Sequence, residues 1–165
     1  MSDPQRRPLF DRLPKGLFPV LREIGRILLR RPVAGILAVA RRPDGQLLLI
    51  KRGDTGTWAL PGGTLEWGEP ARETLVRELL EEAGATVLST GRLVGVYSAP
   101  ERDVRMHAVT IVVEAEVAPE LSGPENPLEI HDARFFAPAE VPTPLAYTTG
   151  EMLRHALRGD EPYWE

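Results

Sequence analysis

Apolar positions along the chain follow two rhythms. Leu17, Val20, Leu21, Ile24, Ile27 and Leu28 recur at intervals of one, three and four, as on one face of a helix. That spacing predicts an amphipathic helix over Leu17–Leu29, stopped near Arg31-Pro32 because the residue before a proline avoids helical angles. The rhythm then changes. Val33–Ala40 is an unbroken apolar run that reads as a buried strand. Arg42-Pro43-Asp44-Gly45 is a turn signal, and Gln46–Lys51 reads as the returning strand of a hairpin. Gly53–Thr57 reads as a loop and Trp58-Ala59-Leu60 as a short strand, ended by Pro61-Gly62-Gly63. Helical spacing returns over Glu69–Ala83 and stops at Gly84, a favourable C-terminal cap. Strands are predicted at Arg92–Ser98, His107–Val117 and Asp132–Phe136. Pro119–Pro127 is a predicted loop, Thr149–Leu157 a last helix and Gly159–Glu165 a tail.

These elements make one mixed domain, which a chain of 165 residues with 42% apolar side chains can fold around a single core. The absence of cysteine excludes a disulfide framework, a zinc–thiolate site and a thiol nucleophile. His107, His131 and His155 have no metal-ligand spacing. Charge divides the chain. Residues 1–31 hold eight basic and three acidic side chains, a net +5, and the remainder is −9. The expected organisation is therefore a basic arm and helix over 1–31 and an acidic domain over 32–165. The overall charge of −4 gives no reason to expect a nucleic-acid partner. No apolar run approaches the ~20 residues of a membrane span, so a cytoplasmic protein is expected.

The chemistry concentrates on the helix before Gly84. Glu78, Glu81 and Glu82 stand at i, i+3 and i+4, so their side chains share a face. Like charges at that spacing cost roughly 0.2–0.5 kcal/mol per pair, which a bound cation would offset. Oxygen-only ligands select hard ions, Mg²⁺ or Mn²⁺, and such ions hold the phosphates of a pyrophosphate and activate water. Ala71, Leu75 and Leu79 lie four apart on a neighbouring face that would pack on a sheet. Gly62-Gly63 lets backbone approach closely. Three glutamates alone would also suit a solvated surface helix.

The fixed spacing from Gly63 through Glu69 and Arg77-Glu78 to Glu81-Glu82 and Gly84 resembles the Nudix box at every fixed position. Ala85 stands where a larger aliphatic residue is usual. The resemblance implies an α/β/α sandwich around a mixed sheet, and hydrolysis of a nucleoside diphosphate linked to a group X with Mg²⁺ as cofactor. It further implies that Gly63 offers its carbonyl to metal and that Glu78, Glu81 and Glu82 are ligands. Arg77 would pair with a box carboxylate and Glu69 would support the helix start. Family members often add a carboxylate from a loop before a late strand. Glu129 is the candidate here and Asp132 its competitor. The general base is either a box glutamate or such a loop acid. A homodimer is the family habit.

A second stretch, Val96–Val109 with Pro100 fifteen residues beyond Ala85, resembles a segment of ADP-ribose pyrophosphatases. Ala99, Val104 and Met106 depart from its usual Asp, Pro and Gly. Arg102 and Arg105 could meet phosphate or a terminal ribose through forked hydrogen bonds. Tyr97 and Trp58 could line a nucleotide pocket or pack in the core, and Arg52 is a further candidate phosphate contact. ADP-ribose or a nucleotide sugar is the expected substrate. The alternatives are a nucleoside triphosphate pyrophosphohydrolase and a nucleotide-binding sensor without catalysis.

Overall fold

A computed structural model describes residues 31–165, and the predicted helix over Leu17–Leu29 lies outside them. Eight strands form one mixed sheet: β1 (Val33–Arg41), β2 (Leu47–Arg52), β3 (Trp58–Ala59), β4 (Gly62–Thr64), β5 (Ala85–Tyr97), β6 (Ala108–Leu121), β7 (Ile130–Phe136) and β8 (Tyr163–Trp164). Two helices, α1 (Ala71–Ala83) and α2 (Thr149–Arg158), complete it. The main path runs β3-β2-β1-β6-β5-β8, with β4 also paired to β1 and β7 to β2. Pairs β1–β6 and β5–β8 are parallel and the rest antiparallel. Among the described residues, no helix is long and apolar enough to cross a membrane.

The continuous apolar runs have a direct cause. Side chains of a strand alternate between faces, and here both faces are covered. Leu48 and Ile50 of β2 enter one core with Ile36, Ala38 and Leu75, Leu79 and Ala83 of α1. Leu47 and Leu49 enter a second with Val39, Val94, Val112 and Met152, Leu153 and Ala156 of α2. A strand buried on both sides must be apolar at every position. This is the expected α/β/α sandwich.

Several boundaries differ from expectation: Gly62–Thr64 forms a strand, and β6 runs to Leu121, into the predicted loop. The helix begins at Ala71, because Pro70 holds extended angles (φ −64°, ψ 142°) and leaves Glu69 outside. Strand β5 begins at Ala85 instead of Arg92; its register shifts repeatedly against β6, and such irregularity blurs the period-two pattern. Residues Tyr163–Trp164, expected as tail, pair with Gly95 and Val96. The chain reverses after α1 as anticipated, with Gly84 left-handed (φ 62°) and its N–H donating to the Leu79 and Leu80 carbonyls.

Leu79 is fully buried where α1 meets the sheet. Leu79→Ala should cost about 3 kcal/mol of stability, read as a lowered urea midpoint, whereas alanine at the exposed Val76 should leave the midpoint nearly unchanged.

Candidate active site

A cavity of about 530 Å³ opens between the α1–β4 junction, the loop after β5 and the turn before α2. Glu78, Glu82, Gly62, Gly63 and Glu129 line one part of it and Arg102, Asp103, Arg105 and Tyr147 another; Arg52 lies between them, paired with Asp54 yet near enough to Glu82 to pull its pKa down.

The carboxylate end is built on the glycine pair. Gly62 is at φ 135°, and a Cβ there would run into the Ile36 carbonyl of β1. A Cβ on Gly63 would occupy the place of the Glu78 carboxylate. Two glycines in β4 therefore let α1 bring its carboxylates against bare backbone. Glu82 is 7% exposed and its Oε2 accepts the Gly62 N–H at 2.7 Å. Burial pushes its pKa up to about 8, against the pull of that hydrogen bond, and Glu78 and Glu129 add to the rise. Burial also raises Glu78, opposed by Arg77 and assisted by Glu81 and Glu129.

Arg77 braces the rest. Its Nε and Nη2 donate to Glu69 at 3.0 and 3.1 Å, and its Nη1 reaches Glu78 at 2.9 Å and Glu81 at 3.2 Å. Glu69 also accepts the Thr74 hydroxyl at 2.7 Å. Arg77, and then Thr74, hold its pKa down to about 2. The expected pairing of Arg77 with box carboxylates is thus present as a fork onto Glu69 with two further contacts.

Glu129 sits in the turn ahead of β7, where its N–H donates to the Asn126 carbonyl (3.1 Å) and its own carbonyl accepts the Gly53 N–H (2.7 Å). It faces Glu78 and Glu82 closely enough to raise both. Asp132 instead pairs with Arg134 on β7 at 2.6 Å and does not line the cavity. Glu78, Glu82 and Glu129 thus share one part of the cavity. Glu81 does not line it and instead pairs with Arg77 at 3.2 Å. Among the described residues, no three acidic or imidazole side chains close around one point at ligand distances. Arg77 draws Glu78 and Glu81 to itself, and Gly62 holds Glu82. The donor chemistry nonetheless fits a hard divalent cation. All donors are oxygen, and burial, more than their neighbours' charge, raises two of the carboxylates, Glu78 and Glu82.

The rest of the cavity is a set of paired charges. Arg52 forks onto Asp54 at 2.9 and 3.0 Å. Arg105 forks onto Asp103 at 3.0 and 2.7 Å and lies 3.9 Å from the centre of the Tyr147 ring, with Arg52 5.2 Å from it. The Tyr147 hydroxyl donates to Asp54 at 2.8 Å. Arg102 binds Glu151 at 2.9 Å and Glu165 at 2.6 Å. Tyr97 reaches the cavity but is 1% exposed. Its hydroxyl meets His155 Nδ1 at 2.8 Å, and burial pushes its pKa up to about 12. Trp58 does not line the cavity; its ring packs edge-on against Phe136 at 4.8 Å, in the second core. The pocket alternative for Trp58 is thereby corrected in favour of core packing, since its place on β3 turns the ring to Phe136.

Five participants were not singled out from sequence: Asp54, Asp103, Tyr147, Glu151 and Glu165. Asp54 and Asp103 stand two residues from Arg52 and Arg105, a spacing that could have suggested local pairing. Tyr147 had no linear signal. It is left-handed at φ 49°, as is Thr148 at φ 60°, a conformation costing roughly 1–2 kcal/mol for a residue with a Cβ. The Thr149 hydroxyl bond to Ala146 (2.7 Å) and the Tyr147–Asp54 bond hold it.

Glu82 titrates far above its ordinary value, so its contribution to stability is complete below about pH 4.5 and is lost as pH rises through about 8. In chelator, the thermal midpoint should therefore fall between pH 5 and 9 as this group ionises. Glu82→Gln, which keeps an acceptor for the Gly62 N–H, should flatten that fall. An equal fall in both proteins would refute the assignment.

The NUDIX domain family model matches residues 30–156. An ADP-ribose pyrophosphatase of Methanocaldococcus jannaschii is 38% identical over 119 residues, covering 70% of this chain and 68% of that protein. A MutT-like protein of Streptomyces ambofaciens is 44% identical over 72 residues, covering 44% of each chain, so the match spans under half of that relative. Among solved structures, the MutT NUDIX hydrolase of Burkholderia pseudomallei superposes with a TM-score of 0.64 at 31% identity, covering 76% of this chain and 98% of the other.

Proposed function

The chain belongs to the Nudix hydrolase family, and on that premise we propose that it hydrolyses the pyrophosphate linkage of a nucleoside diphosphate joined to a sugar, ADP-ribose being the preferred case, with Mg²⁺ (or Mn²⁺) as cofactor. The cavity's two unlike parts carry this reading: buried carboxylates against bare glycine backbone in one, arginines neutralised by their own acidic partners in the other.

When bound, a hard divalent cation neutralises the diphosphate and lowers the pKa of an attacking water. Glu78, Glu81 and Glu82 are the proposed ligands, with the Gly63 carbonyl beside them. Arg77 fixes the rotamers of Glu78 and Glu81. Glu129 forms no ion pair among the described residues while facing Glu78 and Glu82, which suits it to take the proton from water. Water attacks one phosphorus in line, the P–O–P bond breaks, and ADP-ribose gives AMP and ribose 5-phosphate.

The other part supports a sugar over a further phosphate. A triphosphate would bring added negative charge to arginines already matched: Arg52 by Asp54, Arg105 by Asp103, Arg102 by Glu151 and Glu165. Sugar hydroxyls, in contrast, can donate to Asp103, the partner carboxylate that lines the cavity, and accept from the guanidinium groups beside it. The Tyr147 face supplies an apolar wall. The M. jannaschii relative, named as an ADP-ribose pyrophosphatase, supports the same substrate. A homodimer belongs to the proposal on the family resemblance and the apolar spacing of Leu17–Leu29; a monomeric mass by light scattering would remove it.

Turnover with Mg²⁺ should favour ADP-ribose or a nucleotide sugar over nucleoside triphosphates by about ten-fold, the order of a 1.4 kcal/mol preference, with products resolved by chromatography. Leading turnover of triphosphates would overturn the sugar reading and leave the carboxylate end standing. Glu82→Gln should lower kcat by more than the roughly 10–100-fold typical of groups that only orient metal ligands, without unfolding. Full activity in that variant would sink its ligand role.

A further inference from the structure

After α2 the chain returns to the sheet and closes on the loop that carries Arg102, Asp103 and Arg105. Arg92 donates to the Asp160 and Ala156 carbonyls at 2.9 and 3.1 Å, tying the reversal to β5. Tyr163 and Trp164 then pair with Gly95 and Val96. Glycine is needed at position 95, because a Cβ would lie 2.7 Å from the Tyr163 carbonyl oxygen and 2.9 Å from its Cβ. The Tyr163 ring stacks on Tyr97 at 5.0 Å and packs against His155 at 4.7 Å.

The next side chain, Glu165, is the fastening. Its Oε2 accepts the Ser98 and Ala99 N–H groups, both at 2.7 Å, and Arg102 Nε at 2.8 Å. Its Oε1 accepts Arg102 Nη2 at 2.6 Å, and its backbone carbonyl accepts the Ser98 hydroxyl at 3.2 Å. One carboxylate thus joins the start of the loop to the guanidinium in its single turn of 3₁₀ helix, Pro100–Arg102. Arg102 passes the restraint to α2 through Glu151. The loop has little apolar burial of its own: Val104 is 95% exposed and Met106 40%. A segment without buried apolar contacts keeps its shape only through its polar anchors.

We propose that Glu165 is a positioning residue: by clamping Ser98, Ala99 and Arg102 it fixes the cavity wall on which Asp103 and Arg105 meet the X group. The identity of X rests on the function proposed above; the clamp itself does not. The whole chain carrying Glu165→Ala is compared with wild type by amide hydrogen exchange over residues 98–107, and by KM and kcat on ADP-ribose with Mg²⁺. Exchange over that loop should quicken by about ten-fold or more. KM should rise about ten-fold while kcat stays within about two-fold, because a misplaced wall weakens substrate positioning and leaves the carboxylate end intact. Glu165→Gln, which keeps an acceptor oxygen for the two amides, should recover part of both effects, and it carries the test should the alanine variant fold poorly. Unchanged exchange overturns the clamp. Faster exchange with unchanged KM overturns the positioning role. Exchange needs no substrate, so a wild type that turns over no diphosphate refutes the proposed function while exchange still judges the clamp.

Discussion

The site depends on one close approach: the Glu78 and Glu82 carboxylates of α1 lie against the backbone of β4, where Gly62 and Gly63 put no side chain in their way. Burying Glu82 removes water from a carboxylate, a cost of several kcal/mol in the absence of compensation. The Gly62 N–H offsets part of it, and the raised pKa shows that the remainder is unrelieved. Packing enforces the burial. Leu75 and Leu79 anchor α1 in the core on the neighbouring face of the same helix, so Glu78 and Glu82 cannot retreat without unseating the helix. A destabilised carboxylate cluster beside bare glycine backbone is a place where a divalent cation gains more than it would at a solvated surface.

The rest of the cavity obeys a different rule. Its arginines are held in forks to Asp54, Asp103 and Glu165, Arg102 also bonding Glu151, and the Tyr147 ring and hydroxyl link the Arg52 and Arg105 forks. Such a network presents oriented donors and acceptors with little net charge. It suits hydroxyl-rich neutral groups, and its geometry is set by residues from the β2–β3 loop, the β5–β6 loop, α2 and the segment after α2. The strained backbone at Tyr147 and Thr148 is in keeping with this, since such strain persists only where surrounding contacts over-determine it.

Much of the fold was legible because its causes are local. The apolar run of β1 announced a buried strand and the turn signal after it the returning β2, and four-residue spacing placed Ala71, Leu75 and Leu79 on the packing side of α1. The misread stretches have local causes too. Bulges in β5 break the alternation that betrays a strand, and a two-residue strand such as β8 exists only because Gly95 admits it. Among the candidates for the site, Glu78, Glu82, Glu129, Arg52, Arg102 and Arg105 all line the one cavity. Trp58 went to the core, since only the sheet's pairing decides which way a strand's aromatic ring faces.

What the sequence by itself determined is the carboxylate face and its glycine platform. Helical period and turn chemistry act over a few residues, and the whole device from Gly63 to Ala85 occupies 23 consecutive positions. Only the tertiary structure decided what each arginine is for. Charge pairing falls off steeply with distance and has no linear period, so no pattern could reveal that Tyr147 binds Asp54 across 93 residues or that Glu165 clamps Arg102 across 63.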